Sequence, residues 1–146
     1  MSEFKVLTYD AVEIGETFVS NDHLITPEDV ETYAFAVDDY NAWFLGASPL
    51  GHIVHPTLMA NQALHLRHSK YIVHAGLHAK MEFNFLRPLR VGMRVRSRGK
   101  IIDKYKRRGK PYMVTEYVIS DEDTGTELIR GQFTQMIIEP PSAESV

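Results

Sequence analysis

The fold of this chain is decided by the stretch Leu77-His78-Ala79-Lys80-Met81-Glu82-Phe83-Asn84-Phe85-Leu86-Arg87-Pro88-Leu89-Arg90-Val91-Gly92. Its first part alternates in polarity, which places Met81, Phe83 and Phe85 on one face of a strand and polar residues on the other. A proline and a glycine then interrupt the alternation. The stretch therefore predicts a strand over residues 77–86 that ends in a turn.

The chain after this strand has three further segments that are typical of strands, at residues 95–103, 112–120 and 127–138. Two short glycine-containing segments, residues 107–110 and 121–125, separate them and are predicted to be turns. Because short turns join antiparallel neighbours, these strands are predicted to form an antiparallel meander.

Two helices are predicted before the strands. Thr26 can cap a helix that begins at Pro27, and Asp29 completes a pattern like the capping box. This helix is expected to cover residues 27–37. Its apolar stripe is formed by Val30, Tyr33, Ala34 and Val37. A second helix is predicted over residues 56–69, and its small side chains make it slim enough to be embedded in a sheet.

These elements predict an α+β fold in which an antiparallel sheet wraps around a helix. The length of 146 residues suits one domain, expected over residues 1–139, followed by a frayed polar tail over residues 140–146. The sequence shows no internal repeat and no second domain.

The composition excludes several classes of protein. With no cysteine, the chain has no disulfide, no zinc–thiolate site and no cysteine nucleophile, and the cytoplasm is the expected location. No apolar run approaches the ~20 residues of a membrane helix, and no signal-peptide core follows the first residues. We therefore expect a soluble protein with no membrane partner.

The loop between the two predicted helices contains the best candidates for chemistry. Residues 38–55 are rich in Asp, Asn, Gly, Ser and Pro, so they are predicted to form a long structured loop with a short helical turn near Trp43. Asp39 is the first candidate for a catalytic carboxylate, and His55 and His52 are candidates for its acid/base partner. The alternatives are that Asp39 caps a turn and that the histidines hydrogen-bond to loop carbonyls or face a subunit boundary.

These residues resemble the hotdog-fold family of MaoC-like acyl dehydratases and (R)-specific enoyl-CoA hydratases. The resemblance covers residues 14–138 and rests on the loop 39–44, the start of the second helix at residues 53–58, and the strand and turn at residues 77–92. It implies that the chain assembles with copies of itself, as a homodimer or a higher homo-oligomer, or with a second hotdog chain as a heterodimer. It also implies acyl-CoA or acyl-carrier-protein thioesters as substrates, and coenzyme A only as part of the substrate.

The chain departs from the family motif at three positions. Asp39 and Asn41 match the motif, but Ala42 stands where proline is usual and Phe44 stands where the catalytic histidine is expected. At the second helix a proline replaces a glycine whose N–H helps to hold the thioester oxygen, and proline has no N–H. The amide of Thr57 is the expected substitute.

The resemblance implies an enoyl-thioester hydratase or 3-hydroxyacyl-thioester dehydratase. The catalytic candidates are Asp39, His55, His52 and Asn41. The substrate-binding candidates are Trp43, Phe44, Pro56, Thr57, His78 and Arg87. The apolar acyl pocket is expected to be lined by Trp43, Met59, Met81, Phe83 and Phe85. No metal or redox cofactor is expected.

Other functions remain open alternatives. The missing histidine at Phe44 is typical of a non-catalytic subunit that binds the thioester and pairs with a catalytic hotdog chain. A thioesterase would need a carboxylate on the second helix, where the sequence has none.

A basic ribbon, residues 87–110, holds eleven of the sixteen lysines and arginines. It could bind coenzyme A phosphates or nucleic acid, but a solvated strand face is the simpler interpretation. The helical spacing of His65 and His68 makes only a weak metal site.

Overall fold

A six-stranded antiparallel sheet forms most of the protein in a computed structural model, which describes residues 4–59, 62 and 65–141. Its strands lie in the order β2, β6, β7, β8, β5, and β3 also pairs with β6, whereas β1 and β4 form a separate parallel pair. The strands are β1 (Lys5–Val6), β2 (Thr17–Val19), β3 (His23–Leu24), β4 (Tyr71–Ile72), β5 (Ala75–Phe85), β6 (Arg94–Arg107), β7 (Lys110–Asp121) and β8 (Glu127–Ile138).

The predicted meander is confirmed as β6, β7 and β8. The β6–β7 turn is tighter than predicted, because Arg107 and Lys110 are still paired and only two residues connect them. Arg108 and Gly109 both have positive φ, 51° and 74°, which is the conformation of a type I′ turn. β6 therefore extends four residues beyond its predicted end at Asp103.

β5, which corresponds to the strand predicted over residues 77–86, lies at an edge of the sheet. It pairs with β8 and not with β6, its neighbour in sequence. Met81 and Phe83 pack against the core as predicted, but Phe85 is 47% exposed. The register shifts between His78 and Lys80, so one regular alternation does not continue through the whole strand.

The first helix, α1 (Pro27–Ala36), begins at the predicted residue, and its capping box is present. Val30 and Ala34 are buried, as the stripe predicted. The prediction for Val37 is wrong: this residue is the C-cap and is 44% exposed, because the chain leaves the helix axis there.

The second predicted helix is described only in part. The structure has 3₁₀ turns at Pro56–Met59 and Leu66–Ser69, and Gln62 and His65 are helical. Residues 60, 61, 63 and 64 lie outside the described residues, as do residues 142–146 of the predicted tail. Leu66 approaches the sheet so closely that a Cβ at Gly99 would lie 2.8 Å from its Cδ1. The segment therefore covers one face of the sheet across β6.

Candidate active site

The site begins where α1 ends. Asp38 adopts a left-handed conformation with φ of 57°, and its N–H donates to the Phe35 carbonyl at 3.3 Å. The N–H of Asp39 donates to the Ala34 carbonyl at 2.9 Å. These two hydrogen bonds form a Schellman motif, which satisfies the last carbonyls of the helix. The backbone of Asp39 is therefore held in place by the end of α1.

Asn41 positions the Asp39 side chain and caps the next turn. Its N–H donates to Asp39 Oδ1 at 3.1 Å, and its side-chain Oδ1 accepts from the Trp43 N–H at 3.0 Å. The capped turn is a 3₁₀ helix at Ala42–Leu45, as predicted near Trp43. Asn41 thus links the carboxylate to the aromatic loop through its backbone, while its side chain is used as a cap.

Asp39 and His55 lie in direct contact. His55 Nε2 is 3.1 Å from Asp39 Oδ2, and the two side chains are 20% and 36% exposed. His55 precedes the 3₁₀ turn at Pro56–Met59, and the Leu58 N–H donates to its carbonyl at 3.0 Å. The structure therefore brings the first-choice carboxylate together with the favoured imidazole, from loops sixteen residues apart in the sequence.

The other nitrogen of His55 contacts Thr57. The Thr57 hydroxyl lies 2.9 Å from His55 Nδ1, and the Thr57 N–H points at the same nitrogen from 3.4 Å. The amide that was expected to hold a thioester oxygen thus already has an acceptor in the chain. Because 3.4 Å is longer than a usual hydrogen bond, a carbonyl could compete for this amide, and its role in substrate binding stays a prediction.

Tyr33 extends this network and was missed as a site residue. Its hydroxyl lies 2.6 Å from Thr57 Oγ1, and its ring centroid lies 5.3 Å from that of His55. The sequence assigned Tyr33 only to the apolar stripe of α1. One signal could have found it, since a phenol on a buried stripe needs a polar partner for its hydroxyl.

Phe44 and His52 surround His55 without joining the acid/base pair. The Phe44 ring lies 4.9 Å from the His55 ring, between centroids. His52 Nε2 donates to the Phe44 carbonyl at 3.3 Å. No contact between His52 and Asp39 is present in the part of the chain that the structure describes. Of the two candidate histidines, His55 is therefore the one beside the carboxylate.

An apolar cavity of about 330 Å³ lies beside this cluster. It contains three of the predicted substrate-binding residues: Phe44, Pro56 and Arg87. The remaining lining residues are Ile53, Val54, Phe85, Leu86, Pro88 and Leu89. Phe44 borders both this cavity and the His55 ring, so the cavity adjoins the Asp39–His55 pair.

Other predicted site residues lie elsewhere. The Trp43 side chain is 48% exposed, and His78 is exposed on β5 opposite Gln135. Among the residues expected to line an acyl pocket, only Phe85 lines this cavity, while Met59, Met81 and Phe83 belong to the core. Of the predicted lining, this cavity therefore contains only Phe85, and the acyl pocket as a whole stays a prediction.

Within the described residues, His65 and His68 belong to no metal-binding group, and the middle of the basic ribbon is paired with carboxylates. Among the described residues, no group of three or more His, Asp or Glu could hold a metal ion. Three arginines of the ribbon are paired with carboxylates: Arg94 with Asp123 at 2.7 Å, Arg98 with Glu122 at 2.8 Å, and Arg96 with Asp22. Arg98 lowers the pKa of the Glu122 carboxyl through their hydrogen bond. This part of the ribbon is a salt-bridged strand face.

Comparison of the fold with solved structures found close likeness at low sequence identity. The structure of a monoamine oxidase regulatory protein from Archaeoglobus fulgidus superposes with a TM-score of 0.80 at 16% identity, covering 97% of this chain and 100% of that one. The (R)-hydratase PhaJ1 from Pseudomonas aeruginosa gives 0.79 at 15% identity, with coverage of 94% and 89%. A MaoC-like dehydratase from Rhodospirillum rubrum gives 0.76 at 14% identity, with coverage of 93% and 99%.

The chain has the hotdog fold, as the sequence predicted. No protein-family model matches the sequence, and no curated protein matches it. Among the described residues, no helix is both long enough and apolar enough to cross a bilayer. Because one fold can carry several functions, the function must be argued from the Asp39–His55 site itself.

Proposed function

We propose that this protein is an enoyl-thioester hydratase, which in the reverse direction is a 3-hydroxyacyl-thioester dehydratase. The observation that carries the proposal is the contact of Asp39 with His55 at 3.1 Å beside an apolar cavity. A partly exposed carboxylate that is contacted by the Asn41 N–H and by His55 can bind and deprotonate a water molecule. The solved (R)-hydratase and MaoC-like dehydratase of the same fold support this reaction class.

In the proposed reaction, Asp39 accepts a proton from water while the water oxygen bonds to C3 of the enoyl group. The electron pair of the C2–C3 double bond moves toward the thioester carbonyl, and C2 then receives a proton. Asn41 and His55 hold the two carboxylate oxygens during these steps. The chemistry needs no metal or redox cofactor, and coenzyme A enters only as part of the substrate.

The cavity suits the acyl part of such a substrate. Its volume of about 330 Å³ is at the lower end of the range for small-molecule sites, and its lining is mainly apolar. We assign the acyl group to the space between Phe44 and Leu89. Arg87 lines the same cavity and is exposed, so its charge is available to a phosphate of coenzyme A or of an acyl-carrier protein.

A partner chain is part of the proposal. In the residues that the structure describes, β5 pairs with β8 on one side only, which leaves an eleven-residue edge. Leu77, Phe85 and Leu86 are 56%, 47% and 49% exposed on or next to this edge. A long apolar edge of this kind favours pairing with a second chain. The second chain is another copy in the case of a homodimeric hydratase.

The second candidate is a non-catalytic subunit that binds the thioester and pairs with a different hotdog chain. Phe44 favours it, because the resemblance places the catalytic histidine of an active chain at that position. The two candidates differ in one respect that can be measured. Only the first requires the Asp39–His55 pair of this chain to turn over substrate.

Hydration of crotonyl-CoA and of a longer enoyl-CoA by the purified chain, followed at the enoyl absorbance, tests the proposal. The variants are Asp39→Asn and His55→Ala, and the matched control is His23→Ala, which removes the imidazole of a second Asp–His pair at the start of α1. We expect turnover in the parent and the control, and losses of about 10²- to 10⁴-fold in the site variants. A folded, homogeneous chain that binds acyl-CoA without turnover would instead support the partner-dependent subunit.

A further inference from the structure

We infer that Tyr33 and Thr57 hold His55 as the neutral tautomer with its proton on Nε2, which leaves Asp39, and not His55, as the group that transfers protons. Tyr33 and Thr57 are positioning residues in this inference, since they act through His55. The statement about catalysis rests on the proposed function. The statement about the tautomer rests only on the hydrogen bonds of the folded chain.

The direction of one contact decides where the proton lies. A backbone N–H can only donate, so the Thr57 amide that points at His55 Nδ1 from 3.4 Å requires a lone pair on that nitrogen. A neutral imidazole with a lone pair on Nδ1 carries its proton on Nε2. Asp39 Oδ2 lies 3.1 Å from Nε2, and a carboxylate oxygen there suits a protonated nitrogen.

The hydroxyl groups then align in a single direction. Since Nδ1 accepts, the Thr57 hydroxyl at 2.9 Å must donate its proton to Nδ1. Its oxygen is left to accept, and the Tyr33 hydroxyl at 2.6 Å is the donor. The chain of donors therefore runs from Tyr33 through Thr57 to His55 Nδ1, and aligned hydrogen bonds of this kind strengthen one another.

Protonation of His55 would break this order. An imidazolium carries a proton on both nitrogens, so its Nδ1–H would face the Thr57 amide proton and would force the Thr57 and Tyr33 hydroxyls to reverse. The rings of Tyr33 and Phe44 lie 5.3 Å and 4.9 Å from the His55 ring, between centroids, and limit its rotation to another partner. The network therefore resists a ring flip.

This arrangement assigns the two proton transfers to one group. His55 Nε2 already carries a proton and His55 Nδ1 is occupied by Thr57, so His55 cannot take the proton of the attacking water. Asp39 takes that proton as the oxygen bonds to C3, and the resulting carboxylic acid returns a proton to C2. Water is added across the double bond, and Asp39 is ionised again at the end.

Long-range ¹H–¹⁵N correlation spectra of the histidine side chains measure the tautomer directly. In the parent at pH 7 we expect the His55 pattern of a neutral ring with an Nε2 proton, assigned by its loss in His55→Gln. In Thr57→Val and Tyr33→Phe we expect additional signals from the other tautomer or from the doubly protonated ring of His55. Thr57→Ser should give the parent pattern. His52, whose Nε2 donates to the Phe44 carbonyl, should be unchanged in every variant.

Matched controls separate the network from general effects of the substitutions. Tyr40→Phe and Thr32→Val make the same chemical changes, loss of a phenol hydroxyl and of a threonine hydroxyl, at exposed positions. They should leave the His55 pattern unchanged. With crotonyl-CoA, Thr57→Val should lower kcat about five- to tenfold, as expected for one lost hydrogen bond, and change KM less. Tyr33→Phe should act in the same direction and less strongly.

The outcomes are separable. An Nδ1-protonated or doubly protonated His55 in the parent would overturn the inference, as would a parent-like His55 pattern in both Thr57→Val and Tyr33→Phe. If the chain shows no turnover but the tautomer pattern is as expected and responds to these variants, the positioning role stands and the proposed hydratase function fails.

Discussion

The two ends of α1 each carry an aspartate–histidine pair, and the nitrogen–oxygen distances of the two pairs are nearly equal. Asp29 Oδ2 lies 3.0 Å from His23 Nε2 at the start of the helix, and Asp39 Oδ2 lies 3.1 Å from His55 Nε2 just beyond its end. Distance alone therefore does not distinguish a pair that serves the helix from the pair proposed to be catalytic. The surrounding hydrogen bonds of the two pairs differ.

The first pair serves the helix. Asp29 accepts from the Thr26 N–H at 3.1 Å, and its own N–H donates to Thr26 Oγ1 at 3.1 Å. Partial burial raises the pKa of the Asp29 carboxyl, but the bonds to Thr26 and the nearby His23 outweigh burial and hold that pKa below its usual range. The positive end of the helix dipole also favours a carboxylate at this position.

The second pair gives the helix no such benefit. Asp38 and Asp39 follow the C-terminus of α1, where the helix dipole disfavours negative charge. Asp38 also occupies a left-handed conformation that favours glycine. Residues that go against local preferences, such as a negative charge at a helix C-terminus, without stabilising the structure are typical of functional sites. The contrast between the pairs supports a catalytic role for Asp39.

The largest expected effect on stability is at the first pair. Asp29→Ala removes one half of the capping box, so the free energy of unfolding should fall by about 1 to 2 kcal/mol at pH 7. Because folding lowers the pKa of the Asp29 carboxyl, the stability that the carboxylate adds is fully present above pH 3.8, its usual pKa. This added stability is lost as the pH falls through the lower pKa of the folded state. Urea unfolding at pH 7, 5 and 3 measures it. A difference between Asp29→Ala and parent that grows toward pH 3 would contradict this account.

A smaller effect of opposite sign is expected at the second end. Asp38→Gly relieves the left-handed conformation and removes one charge from the negative end of α1, so stability should rise by about 0.5 to 1 kcal/mol. The unfolding midpoint in urea measures it, with Asp10→Gly, a change at an exposed turn residue, as the control for the loss of one carboxylate. A decrease in stability would mean that the Asp38 side chain has a structural role.

The smallest effect is expected from the imidazole of the first pair. His23 and Asp29 are 38% and 33% exposed, so His23→Ala should lower stability by no more than about 0.5 kcal/mol, and high salt should remove most of that difference. Thermal unfolding at pH 6 in low and high salt measures it. A loss that is larger, or that salt does not change, would show that the two pairs are less different than their surroundings imply.

The fold was largely predictable because its signals are local. The capping box marked the start of α1 at Pro27, and glycine turns marked both ends of β7. The place of β5 was not predictable in the same way. Its pairing with β8, across some forty residues of chain, depends on how the meander and the helical segment pack together, which no local pattern contains.

The candidate site was predictable in part. Asp39 and His55 were chosen by residue type and by resemblance, and the structure brings them into contact. Tyr33 was not chosen, because its hydroxyl acquires a role only when α1 lies against the second helical segment at Thr57. Met59, Met81 and Phe83 were assigned to the acyl pocket by residue type, and their position in the core depends on packing, which residue type does not give.

By itself, the sequence determined the types of element, their order and the residues able to carry acid/base chemistry, because caps, turns and periodicity act between near neighbours in the chain. Only the tertiary structure decided which of two histidines meets Asp39, that Tyr33 and Thr57 complete the network, and that Phe44 and Arg87 share one cavity. These facts depend on contacts between residues far apart in sequence, whose distances are set by the packing of the whole hotdog fold.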